Sequence, residues 1–140
     1  MRDGRLSFTR WLAGRGLRPA IEDVAYFAHW ITPEGLSRRF DTRFFLAVAD
    51  SGAVAVPDQA EIVDCRWIAP ADALVDHRRH SLQLVNATEK TLELLATFAS
   101  LGEAREHLGG REVTAIRPKL APHGNGHRVV NPWEPGYDAL

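Results

Sequence analysis

Residues 24–31 and 42–49 are both rich in aromatic and β-branched side chains, and they flank a break at Thr32-Pro33. Runs of this kind suit a pleated, half-buried surface, so both are expected as strands. Proline removes a ladder donor and holds the residue before it extended, so the first strand has to stop there. The loop expected over residues 33–41 and the start of the second strand concentrate chemistry: Arg38, Arg39, Asp41 and Arg43, set among Trp30, Phe40, Phe44 and Phe45. Asp50-Ser51-Gly52 is a turn signal after the second run. A third strand is expected over residues 61–68, closed by Ala69-Pro70.

Helical spacing accounts for most of the remainder. Leu6, Phe8, Trp11 and Leu12 make an apolar stripe ended by Gly14 and Gly16. Residues 70–76 read as a short helix with proline in its first turn. Residues 86–99 are expected as a longer helix, with Asn86 as N-cap, Glu89 completing a capping box, and Leu92, Leu95, Ala96 and Ala99 on one face. A further helix over residues 102–108 ends at Gly109-Gly110. After Val113 come four prolines, three glycines and two histidines with little periodicity, which reads as an extended tail. The expected organisation is one α+β domain over residues 1–110 and a proline- and glycine-rich tail over 111–140, with Trp133 and Tyr137 able to pin that tail to the domain or to a partner.

Composition narrows the function classes. Apolar residues make up 45% and charged residues 25%, as in ordinary globular domains, and the formal net charge of −1 offers no bulk attraction to nucleic acid or a membrane surface. Cys65, the only cysteine, has no intrachain partner and lies beside Trp67 and Ile68, so inert packing is expected. The N-terminus lacks the apolar core of a signal peptide, and no run approaches the ~18 apolar residues of a membrane span. A cytoplasmic location follows as an expectation. His77-x-x-His80 and His123-x3-His127 are pairs without a third ligand, short of the three or four that zinc takes.

The order Trp30, Thr32-Pro33, Arg38-Arg39-Phe40-Asp41-Thr42-Arg43-Phe44-Phe45 resembles a segment of one branch of the Nudix hydrolases, enzymes that split diphosphate bonds in nucleoside diphosphates linked to another group. That branch is related to the coenzyme A and acyl-coenzyme A diphosphatases. A second block, Asp64-Cys65-Arg66-Trp67-Ile68-Ala69-Pro70-Ala71-Asp72-Ala73-Leu74, is similar to the Arg-Trp, small residue, Pro, Ala-Leu segment found late in Nudix domains. With the tryptophan-bearing first helix and the leucine-rich later one, the resemblance covers roughly residues 5–100. It implies a partial α/β/α sandwich with a mixed sheet of few strands, a small-molecule diphosphate substrate that is CoA-like or nucleoside-diphosphate-linked, and Mg2+ or Mn2+ in full-length relatives.

The residues that would carry such a function are few. Arg38, Arg39 and Arg43 are candidate substrate-binding residues, because planar guanidinium matches phosphate geometry better than ammonium. Against that role, Asp41 is expected to pair with one arginine and fix the loop while Phe40, Phe44 and Phe45 pack the core. Asp41 and Arg43 favour the structural role; Arg38 and Arg39 stay open to either. Glu61 stands where many Nudix proteins carry an extra acid near the metals, which makes it the candidate metal ligand, although a solvated strand-end glutamate is the simpler reading.

No catalytic residue is assigned. The family's catalytic motif, G-x5-E-x7-R-E-U-x-E-E-x-G-U with U a bulky apolar residue, sets glutamates on one helix face to hold divalent cations against the diphosphate. Glu103 with Arg111-Glu112-Val113 fits its middle, but the glutamate pair falls on Ala115-Ile116 and the glycines on Thr97 and Pro118. The resemblance thus implies that the chain begins downstream of the catalytic helix and is inactive by itself. A sheet lacking neighbouring strands leaves an open edge, so self-association through that edge, or a binding or assembly role, is the alternative expectation.

Overall fold

In the computed structural model, which describes residues 7–60 and 62–140, helices and two small antiparallel sheets alternate along the chain. The elements run α1 (Phe8–Ala13), β1 (Ala25–Ile31), β2 (Asp41–Leu46), α2 (Pro70–Arg78), α3 (Asn86–Leu95), α4 (Leu101–Leu108), β3 (Lys119–His123) and β4 (Gly126–Val130), with short 3-10 turns at Ile21–Asp23 and Tyr137–Ala139. The α+β expectation holds. Its mixed character comes from two antiparallel pairs, β1 with β2 and β3 with β4, joined by one parallel bridge between Trp30 and Ile116.

β1 is the centre of the molecule. Its pairing with β2 is regular from Ala28↔Phe44 to Ile31↔Asp41, but the register shifts between Tyr26 and Ala28, so Phe27 is an extra, bulged residue. A bulge re-aims side chains that would otherwise alternate. On its other side β1 meets residue 116: Ile31 N donates to Ile116 O at 2.9 Å and Ile116 N donates to His29 O at 2.8 Å. Ala28 and Trp30, two residues apart and therefore on one face, are both buried, and α4 packs against this strand through buried Ala104 and Leu108.

Local chemistry explains the helix ends. Ser7 caps α1 by accepting from Arg10 N. Ser100 caps α4 by accepting from Glu103 N, and Glu103 in return accepts from Ala99 N, a reciprocal arrangement close to a capping box. The box expected at Asn86 does not form. Val85 is the N-cap of α3, and the Asn86 amide instead donates to Asn131 Oδ1 at 2.9 Å, since a buried asparagine 45 residues away competes for it.

Four further expectations are corrected. Residues 62–69 form no strand: Asp58 Oδ1 accepts from the backbone N–H groups of Ala60 and Ile62, and Asp64 accepts from Cys65 N, local bonds that compete with a ladder. Cys65 is accordingly exposed rather than packed, and Trp67 is 71% exposed. Phe40, just before β2, and Phe45, on β2 with its ring against that of Tyr26, also lie mostly in solvent rather than in the core. The segment after Val113, finally, is not a loose tail. Gly124 takes φ +55° as the first central residue of a tight turn, which closes the β3–β4 hairpin. Val130, the last residue of β4, and Asn131 just beyond it are the most deeply buried side chains described. Trp133 sets its ring at 82° to that of Trp30 with centroids 5.9 Å apart, so it pins the segment to the domain itself.

Candidate functional site

The connection between β1 and β2 is tied shut at its base by Thr32. Its backbone N–H donates to Phe40 O, its hydroxyl accepts from Phe40 N, both at 2.9 Å, and its carbonyl accepts from Arg39 Nε at 3.2 Å. Thr32 thus orients one arginine of the loop directly. Pro33, buried, follows it, and Gly35 turns the chain with φ +91°, a conformation that favours glycine.

The parallel bridge at Ile116 brings a second cationic segment alongside. Arg117, Pro118 and Lys119 lead into β3; Pro118 is buried while the two cations on either side of it are not, the alternation of an extended chain. Lys119 Nζ donates to Tyr137 O at 3.1 Å and lies 4.4 Å from the Tyr137 ring centre, and Tyr137 in turn donates its hydroxyl to Arg117 O at 2.7 Å. The result is a hollow of about 390 Å³ between the loop and β3, with Arg39, Arg117 and Lys119 on its walls and Glu34 at its rim. The Glu34 carboxylate is 92% exposed and 3.8 Å from Arg39, so it does little to offset three cations.

The remaining candidates lie elsewhere. Arg38 lines a different hollow, about 310 Å³ and mostly apolar, walled by Leu36, Phe40, Val85 and Val129. Arg43 sits on β2, where Asp41 holds it at 3.2 Å. Asp41 also accepts from His29 Nε2 at 2.6 Å, and His29 is the strand partner of Arg43, so one carboxylate links both strands. The His29 hydrogen bond, with Arg43 adding to it, holds the Asp41 carboxyl below the usual carboxylate range. The three loop arginines therefore do not converge; Arg39 joins Arg117 and Lys119 instead. Glu61 lies outside the described residues. Arg117 and Lys119 escaped the sequence reading because the segment after Val113 looked irregular. The signal was there in two cations flanking a proline, two residues apart.

A divalent cation of the kind Nudix enzymes use needs several hard oxygens converging on one point. Among the described residues no three His, Cys, Asp or Glu side chains come together in such a group. Asp41 is committed to His29 and Arg43, and Glu34 shares its hollow with cations. The described residues do not fit the ion; the hollow instead gathers the cationic side chains Arg39, Arg117 and Lys119.

Comparison with known proteins decides the relationship. The chain is 31% identical over 111 residues to the Homo sapiens acyl-coenzyme A diphosphatase NUDT19, covering 78% of this chain and 30% of that protein. It is 28% identical over 99 residues to the Xenopus laevis protein of the same name, covering 68% of this chain and 26% of that one. This chain is Nudix-related. Its resemblance to the CoA-diphosphatase branch stands on these two relatives, and it spans less than a third of the length of either. No family model and no solved structure matches it. Among the described residues of this Nudix relative, no helix is long and apolar enough to cross a membrane.

Proposed function

We propose that the chain supplies a phosphate-recognising part of a Nudix-type diphosphatase, gripping the anionic groups of a CoA-like diphosphate with Arg39, Arg117 and Lys119, and that alone it does not break the phosphoanhydride. The observation that carries this reading is the meeting of three cations from two separate segments in one hollow. Phosphate esters are what the relatives' chemistry presents to such a hollow, and guanidinium pairs bind them with geometric preference. In this reading Arg43 is a buttress locked by Asp41, Arg38 reaches the ligand from the neighbouring hollow, and hydrolysis belongs to carboxylates not gathered among the described residues. Mg2+ or Mn2+ would then act in the whole protein, with Glu61 the one acid of this chain put forward for it.

Calorimetric titration with coenzyme A tests the binding claim. Arg39→Gln or Lys119→Gln should each weaken binding about tenfold, the loss of one charge-assisted contact. Arg43→Gln should change affinity little. Equal effects at all three positions would contradict the assignment.

A second reading is favoured by a separate observation. Val54, Val56, Val63 and Trp67 are each more than 70% exposed, and β2 has an open edge among the described residues. Exposed apolar side chains together with an open sheet edge are features of an assembly module. Sedimentation at rising concentration separates the readings: a monomer throughout speaks against self-assembly and leaves the anion-binding role untouched.

A further inference from the structure

A larger hollow, about 550 Å³, shares no lining residue with the cationic one and falls within the size range of small-molecule sites. Gly110, with φ +70°, turns the chain out of α4, and residues 111–115 then lead to Ile116. Among the described residues this stretch pairs with β1 only at the bridge between Trp30 and Ile116, and the hollow lies beside it. The bulge in β1 puts the consecutive residues Phe27 and Ala28 on one wall, where a regular strand would turn them to opposite faces. Leu94 of α3 and Leu108 of α4 complete an apolar lining, with Trp133 beside them. Several polar side chains on the wall are already committed within the chain. Lys90 Nζ donates to Glu93 at 2.8 Å, and the hydroxyls of Thr91 and Thr97 donate to Ala87 O and Leu94 O, both at 2.7 Å. Three other groups are not. Arg111 reaches a backbone carbonyl, His107 O at 3.5 Å, and no carboxylate among the described residues. Glu112, exposed next to it, has neither an ion pair nor a hydrogen bond among the described residues. Trp30, 4% exposed, carries a buried Nε1–H without an acceptor among them.

We propose that this hollow binds a free aromatic α-amino acid, its carboxylate on Arg111, its ammonium on Glu112 and its ring among Phe27, Leu94 and Leu108. Charge complementarity selects the occupant. Two adjacent, unpaired groups of opposite sign beside an apolar lining match a zwitterion with an apolar body. A simple anion would set its charge beside Glu112, and a simple amine would set its charge beside Arg111; like charges at close range repel. Aromatic rings pack favourably against the rings of Phe27 and Trp30. A buried donor left unpaired costs free energy, so a ligand oxygen that meets the Trp30 N–H is favoured, which ranks tyrosine above phenylalanine. The site is independent of the anion-binding hollow and of the reading built on it.

The probes are L-phenylalanine, L-tyrosine, phenylacetate, which lacks the ammonium, and phenethylamine, which lacks the carboxylate, each titrated calorimetrically into the full chain. Phenylacetate and phenethylamine should each bind about tenfold more weakly than phenylalanine, the loss of one charge-assisted contact. Tyrosine should bind about fivefold more tightly than phenylalanine, the gain of one hydrogen bond. Arg111→Gln and Glu112→Gln, both at exposed side chains, should each weaken phenylalanine about tenfold and leave coenzyme A binding unchanged. Trp30→Phe keeps a ring and removes only an N–H that has no described partner, and should bring tyrosine down to phenylalanine. Where that variant fails to fold, the indole N–H resonance of Trp30 in the parent chain answers the same question, moving with tyrosine and not with phenylalanine. Equal affinity for phenylalanine and its two truncated analogues, equal affinity for tyrosine and phenylalanine, or no binding at all would each overturn the assignment. None of those results touches the anion-binding reading, which the coenzyme A titration tests separately.

Discussion

At the scale of single residues, Asp41 shows how a short sequence motif is spent on structure before function. Its carboxylate accepts from His29 across the β1–β2 pair and holds Arg43 on its own strand. Because its folded pKa lies below the ordinary carboxylate value of ~4, the fold favours the ionised form. The stability this gives is present above the ordinary value and is lost as pH falls through the folded one. Glu134, held down chiefly by its hydrogen bond from the Asn131 side chain, behaves alike. Urea midpoints measured from pH 6 to pH 3 should therefore fall, and Asp41→Asn should fall less steeply below pH 4 than the parent chain. Parallel curves would show that Asp41 has no such role. The pairing of Asp41 with an arginine was legible in the sequence, because a lone acid among three arginines has few other partners. The recruitment of His29 was not, since it depends on strand register.

At the scale of elements, the sequence spoke most clearly where periodicity and punctuation agree. Thr32-Pro33 ends β1, Pro70 opens α2, and Gly109 follows α4, all from local chemistry that needs no tertiary partner. It misled where long-range contacts decide. Asn86 has every local qualification for an N-cap, yet its side chain is drawn to Asn131, and the proline-rich segment after Val113 folds because Val130 finds a buried place. The hairpin should accordingly matter to stability: Val130→Ala should cost about 2 kcal/mol by chemical denaturation, as expected for a fully buried side chain. A cost near zero would mean that β3 and β4 are appended rather than integral. Residues 62–69 carry the opposite expectation. With no regular structure and Trp67 in solvent, brief chymotrypsin digestion should cut after Trp67 before Tyr26 or Phe44, which lie in paired strands.

For the molecule as a whole, a small core and a wide apolar surface coexist. The described core centres on Trp30, Leu74, Leu108 and Val130, while Val54, Val56, Val63 and Trp67 stay exposed. That imbalance predicts modest stability and concentration-dependent association, read by sedimentation. The central proposal concerns chemistry: that this chain binds a diphosphate ligand, while its described residues gather no set of carboxylates to cut one. The direct measurement is incubation of the purified chain with coenzyme A and Mn2+, followed by chromatography for 3′,5′-ADP. The account predicts saturable binding weakened by Arg39→Gln, with no 3′,5′-ADP above the Mn2+-only blank. Steady release of 3′,5′-ADP, proportional to protein and lost in Glu61→Gln, would contradict it.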